Sequence, residues 1–310
     1  MDKLEFKPLE LSDIERLRPW FKEAPHRMCD FTIGGTWMWR DLFNYSFAIH
    51  KDCLFFKMKI FDRHDAYSIP LGPCRKSCVD RLVEHSEMTG EPLVFSIVGK
   101  DDLPFISSHF ADARVRAERD FFDYLYEAQD LIDLVGRPHK STRNHISKFN
   151  RMYPEYSFEK IEEANLPEAK AFIENYLKNV VLEKDYPSLL EERVKVLEVL
   201  DNLELYGMFG GVLTVSGEIV GLSLGEISGD TLFVHTEKAL TDIAGSYQML
   251  MHEFVKTFAT DPNVVYVNRE DDSGDEGLRR SKMSYNPIQL IEKYTVFSRQ
   301  DEAEAMGGCL

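Results

Sequence analysis

Side chains able to do chemistry gather in two stretches of the last third of the chain. Glu226, His235 and Glu237 fall close together, and a β-type run, Val264-Val-Tyr-Val267, leads directly into Asn268, Arg269, Glu270 and Asp271. An ionised carboxylate accepts hydrogen bonds and attracts ammonium groups, whereas a guanidinium donates to carboxylate or phosphate. The pattern suits a substrate with an amine beside an acidic or ester group. Glu226, Glu237, Glu270 and Asp271 are expected to bind the amine and Arg269 to orient a carboxylate or phosphate, with Asn268 and Tyr247 completing the lining. An amine nucleophile needs only positioning and one proton acceptor, so Glu237 or His235 is the expected general base. The competing expectation is an ion-pair lattice in which Arg269 buttresses the acids. No Ser-His-Asp or Cys-His pair, Walker loop, dinucleotide fingerprint or metal-ligand spacing occurs.

A scaffold must bring these residues together. Residues 231–238 alternate faces, which puts Phe233, His235 and Glu237 on one side of a strand. Strands over 210–215 and 219–227, joined by turns at Ser216-Gly217 and Ser228-Gly229-Asp230, precede it as an antiparallel meander. Helices over 163–184 and 187–205 come before the meander; a helix over 245–259, a strand over 264–268, a helix from about 275 and a strand over 288–297 follow. Asp275 and Glu276 suit the positive end of that last helix, and Asp242 is expected to cap the helix at 245. The first half has a similar order: helices over 9–23 and 34–43, a hairpin around Lys51-Asp52, a helix over 76–89 and a strand over 92–98. The expectation is an α+β (mixed α/β) protein with an internal duplication, its units being 1–135 and 136–298, and with a tail, 299–310, outside both cores.

The formal net charge of −16 sets the chain as a whole against nucleic acid and anionic lipid. A polyanion would need a local basic patch, and one is present. No acid occurs between Asp133 and Glu155, and at helical spacing Lys140, Arg143, Lys148 and Arg151 share a face from which Phe149 points away. That stripe suits phosphates of tRNA or an anionic cofactor, or simply a solvated helix face. The N-terminus lacks the apolar core of a signal peptide and no segment approaches a membrane span, so the expected location is cytoplasmic. The five cysteines, Cys29, Cys53, Cys74, Cys78 and Cys309, are expected to be reduced, and no metal site is expected.

Several motifs together resemble the family of the phosphatidylglycerol lysyltransferase C-terminal domain, a tandem GNAT-like unit. They are Arg143-Asn-His-Ile-Ser-Lys-Phe149, Gly210-Gly-Val212 through Gly225-Glu226, His235-Thr-Glu-Lys238, Gly245-Ser-Tyr-Gln248, Asn268-Arg-Glu-Asp271 and Gly277 to Pro287. The resemblance implies a duplicated GNAT-like acyltransferase fold and the transfer of an acyl or aminoacyl group. Its implied donor is aminoacyl-tRNA or acyl-CoA, and its acceptor a small molecule, peptide or lipid head group. In GNAT enzymes the turn before the 245 helix holds coenzyme A pyrophosphate. Here Asp242 and Tyr247 stand at positions of that turn where an acid and a bulky ring oppose it, while Arg269 with the basic helix favours aminoacyl-tRNA. An acyl-CoA-dependent N-acyltransferase and a non-catalytic binder of a cationic amino acid or peptide are the alternatives.

Overall fold

The computed structural model describes residues 3–22, 27–60, 64–183 and 187–299, with 177–183 and 187–190 described as backbone only. Turn chemistry sets the central meander. Ser216 and Gly217 take φ of 54° and 82°, the left-handed pair of a type I′ hairpin. Phe209–Val215 therefore folds back on Glu218–Ser228, which Gly229 then turns into Thr231–Ala239. The helix Ser246–Phe258 follows, burying Met249, Leu250, Met251, Phe254 and Val255 along one face. Those side chains pack with Leu213, Leu232, Val234 and Val267 of the sheet; burying a residue such as Phe254 contributes about 1.5–3 kcal/mol. The chain then enters Tyr266–Asn268, parallel to the start of Thr231–Ala239.

Among the described residues there are two mixed seven-stranded sheets. One runs Lys7–Pro8, Ser46–His50, Cys53–Ile60, His64–Tyr67, Val94–Gly99, Lys293–Phe297, Arg114–Ala117. The other runs Ser157–Lys160, Phe209–Val215, Glu218–Ser228, Thr231–Ala239, Tyr266–Asn268, Asp123–Glu127, Gln289–Ile291. Each contains an antiparallel meander, a strand parallel to its third member, and an antiparallel strand taken from the other half of the chain. The expected duplicated order is present in both units.

The boundary lies elsewhere than the expected 135/136. One compact unit combines Met1–His26, Trp39–Phe122 and Ile291–Leu310, and the other combines Arg27–Met38 with Asp123–Leu290. The physical reason is strand pairing: Asp123–Glu127 bonds to Tyr266–Asn268, and Lys293–Phe297 bonds to Val94–Gly99. Sequence reading places a strand over 288–297 without a partner and names none over 123–127. The expected tail falls outside the described residues beyond 299.

Two other expectations change. Cys53 and Cys78 are joined as a disulfide rather than reduced, because the hairpin and the helix Arg75–Thr89 bring their Cα atoms to 5.8 Å. Asp242 is exposed and Gly245, at φ 86°, caps the helix Ser246–Phe258 without a side-chain bond. Asp275 does cap its helix, accepting from the Leu278 N–H at 2.7 Å.

Candidate functional site

The parallel pairing of Thr231–Ala239 with Tyr266–Asn268 lasts only from Thr231 to Phe233. Beyond it the first strand continues to Ala239 while the second ends at Asn268, so the strands part and His235, Glu237, Arg269 and Glu270 fall at the opening. Two backbone irregularities shape it. Leu224 pairs with Thr236 and Gly225 with Val234, which leaves His235 as the extra residue of a bulge. A side chain on Gly225 would lie 2.3 Å from the Phe233 carbonyl oxygen, so this close approach requires glycine. Glu270 takes φ 55°, a left-handed conformation uncommon outside glycine, and its N–H donates to Asn268 Oδ1 at 2.7 Å.

These irregularities bring three side chains into line. His235 Nε2–H donates to Glu226 Oε1 at 2.9 Å and Nδ1–H to Glu270 Oε1 at 2.7 Å. With a carboxylate acceptor on each side, both ring nitrogens carry protons and the ring is an imidazolium. Burial alone opposes that charge, but the bonds to Glu226 and Glu270 push the His235 pKa up to about 10. Glu226 Oε1 also accepts from the Gly34 N–H at 2.6 Å. Gly34 leaves no room there: a Cβ would sit 2.6 Å from His235 Nε2 and 2.8 Å from Glu226 Oε1.

Arg269 is buried and donates from Nη2 to Glu237 Oε2 at 2.8 Å. Its guanidinium carbon lies 4.6 Å from the Tyr285 ring centre and 5.9 Å from that of Tyr126. Burial disfavours its charge, but Glu237 and the two tyrosines outweigh this and raise its pKa. Nε and Nη1 are enclosed and have no hydrogen-bond partner among the described residues. Arg269 therefore buttresses Glu237 from within the protein. The second carboxylate oxygens of Glu226, Glu237 and Glu270 have no hydrogen-bond partner among the described residues.

The other expected lining residues are placed differently. Asn268 is fully buried, its amide donating to the Arg27 carbonyl and to Asp123. Asp271 Oδ1 accepts from the Ser273 N–H and hydroxyl, both at 2.9 Å. The Tyr247 hydroxyl lies 2.8 Å from that of Tyr176; burial and this neighbour raise its pKa. On the helix Lys140–Met152, Lys140, Lys148 and Arg151 are exposed while Phe149 is buried. Arg143 instead donates to the Leu134 carbonyl. Next to Lys148 a cavity of about 260 Å³ is lined by His145, Thr241, Gly245, Ser246 and Tyr247.

Sequence reasoning assigned no supporting role to three residues. Gly34 belongs to a segment distant in sequence, and only its Gly34-Gly35 pair signals a close approach. Lys282 is buried and donates to the carbonyls of Arg269, at 2.5 Å, and Asp271; burial, then Arg269, lowers its pKa. Asp272 is fully buried and accepts from Arg279 Nε at 3.0 Å and Nη2 at 2.6 Å, and from the Tyr124 hydroxyl. No helix among the described residues is long and apolar enough to cross a membrane.

Comparison with known proteins agrees with this architecture. The model of the family "phosphatidylglycerol lysyltransferase, C-terminal" matches residues 21–297. A conserved protein of unknown function from Bacteroides thetaiotaomicron is 30% identical, with a TM-score of 0.86 over 95% of this chain and 99% of that one. The C-terminal domain of a putative lysylphosphatidylglycerol synthetase from Agrobacterium fabrum is 13% identical and shares the fold, with a TM-score of 0.70 over 96% of this chain and 95% of that one. An uncharacterized protein of Mycoplasmoides gallisepticum is 24% identical over 177 residues, which is 56% of this chain and 55% of that relative's own length. The fold is a duplicated GNAT-like acyltransferase fold. With its fold and nearly its whole described length matched, the chain belongs to the phosphatidylglycerol lysyltransferase C-terminal family.

Proposed function

We propose that the chain moves an aminoacyl group from aminoacyl-tRNA to an amine or hydroxyl of a small molecule, peptide or lipid head group. The observation that carries this reading is the unpartnered oxygen on each of Glu226, Glu237 and Glu270 at the parting of two strands. An α-ammonium donates to such oxygens. His235, with both nitrogens engaged, is no base; it fixes Glu226 and Glu270 in place. Glu237, held by Arg269, accepts the proton as the acceptor attacks the ester carbonyl and returns it to the tRNA oxygen as that leaves as a hydroxyl. Lys140, Lys148 and Arg151 offer exposed cations to phosphates.

A second reading, acyl-CoA as donor, is favoured by the cavity at the start of the helix Ser246–Phe258, where backbone N–H groups and Lys148 suit a phosphate. Binding of a panel of radiolabelled aminoacyl-tRNAs and acyl-CoAs to the purified protein separates the two. The first reading expects charged tRNA to bind more tightly than uncharged tRNA, with Glu237→Gln, less stable because it weakens the pair with Arg269 but still folded at the assay temperature, removing that difference. Equal binding of charged and uncharged tRNA would sink it, and selective acyl-CoA binding would establish the second. Selective binding of a cationic amino acid with no transfer to any acceptor would mark a non-catalytic binder.

A further inference from the structure

The stretch Pro73-Cys-Arg-Lys-Ser-Cys78 has no part in the site above, yet it gathers sulfur chemistry at the start of the helix Arg75–Thr89. Cys78 is fully buried and bonded to Cys53, the first residue of its strand. Cys74 is a free, exposed thiol at the N-cap, and the Cys78 N–H donates to its carbonyl at 3.2 Å. Residues one such turn apart have Cα atoms about 6 Å from each other, within the span of a disulfide. The segment leading to Cys74 also runs against the existing bond. A Cβ on Gly72 would lie 3.4 Å from Cys78 Sγ, and 3.2 Å from Cys53 Cα.

We propose that Cys74 is a thiol–disulfide exchange site through which a low-molecular-weight monothiol opens the buried Cys53–Cys78 bond. The Cys74 thiolate attacks Cys78 Sγ; a Cys74–Cys78 bond forms, the Cys53–Cys78 bond breaks, and Cys53 leaves as a thiolate that takes a proton. An external monothiolate then attacks the exposed Cys74 Sγ and displaces Cys78, which is protonated in turn. Cys53 and Cys78 are thereby reduced, while Cys74 and the incoming thiol are oxidised to one mixed disulfide. Run backwards with a small disulfide, the same steps close the bond. Hydrogen bonding from Ser77 holds the Cys74 thiol below its ordinary pKa, which favours the attacking form. A direct route is poor, because Cys78 has no exposed surface.

Reduced glutathione serves as the probe, with timed alkylation and peptide mapping of the full chain so that Cys29 and Cys309 are read separately. In the wild type, glutathione on Cys74 should appear together with free thiols at Cys53 and Cys78. Cys74→Ser, an exposed change expected to leave the melting temperature unaltered, should slow that reduction by roughly tenfold or more, since the attacking thiol is lost. Equal rates in the two proteins overturn the proposal. So does glutathione on Cys53 or Cys78 in place of Cys74, a wild-type bond that glutathione never opens, or no Cys53–Cys78 bond after treatment with oxidised glutathione.

Discussion

His235 and Glu270, joined by a 2.7 Å hydrogen bond, occupy the two irregular backbone positions of the parting strands. One is the extra residue of a bulge and the other is held at φ 55°. Regular strands would put neither side chain where it is. The bond is thus a product of backbone strain held in place by its surroundings, a combination that clusters at functional sites.

The first prediction concerns pH. The folded-state pKa of His235 is raised from 6.5 to about 10, so its contribution to stability is full below pH 6.5 and is lost as pH rises through about 10. The wild type should lose on the order of a few kcal/mol over that window. His235→Gln should be less stable near neutrality and show a flatter slope. Denaturant unfolding across the window checks the slope, and nitrogen NMR at pH 8 should find both ring nitrogens protonated.

Gly34→Ala places a methyl group 2.6 Å from His235 Nε2 and 2.8 Å from Glu226 Oε1. Something must shift, at a cost of about 1–3 kcal/mol for an overpacked site. The Glu226–His235 bond should break with it, which would appear as a lowered histidine pKa. An unchanged pKa would mean that the helix Ile33–Met38 does not press on the pair.

Lys282→Met keeps the apolar stem but removes the donor to the Arg269 and Asp271 carbonyls. Leaving buried acceptors unpaired costs about 1–3 kcal/mol each. The loop carrying Glu270 should loosen, seen as faster amide exchange over residues 269–273 at a denaturant concentration where the protein remains folded.

The basic helix divides into two roles. Replacing Lys140, Lys148 and Arg151 by glutamine should weaken polyanion binding and flatten its salt dependence while leaving the melting temperature unchanged. Arg143→Gln should instead lower the melting temperature, because that side chain holds the Leu134 carbonyl. Unchanged affinity and salt slope in the triple variant would remove this helix from the tRNA model.

Much of the second unit was legible in the sequence. Period-two runs and the Ser216-Gly217 and Ser228-Gly229-Asp230 turns specify the meander because strand alternation and left-handed turn residues are local properties. The cationic face of the helix Lys140–Met152 follows equally from helical spacing. Local chemistry could also name Glu226, His235, Glu237, Arg269 and Glu270 as a set. Only the tertiary structure decided what each does. Whether His235 is base or imidazolium depends on Glu226 and Glu270 approaching opposite sides of one ring. Arg269 faces Glu237 and lies against Tyr126, from a strand far away in the chain, and Tyr285, from beyond the next helix. Gly34, Lys282 and the exchange of strands between the two halves of the sequence were unreadable for the same reason. Hydrogen bonds and charge are decided by what lies within a few ångströms, and sequence periodicity reports which way a side chain faces without reporting what it meets.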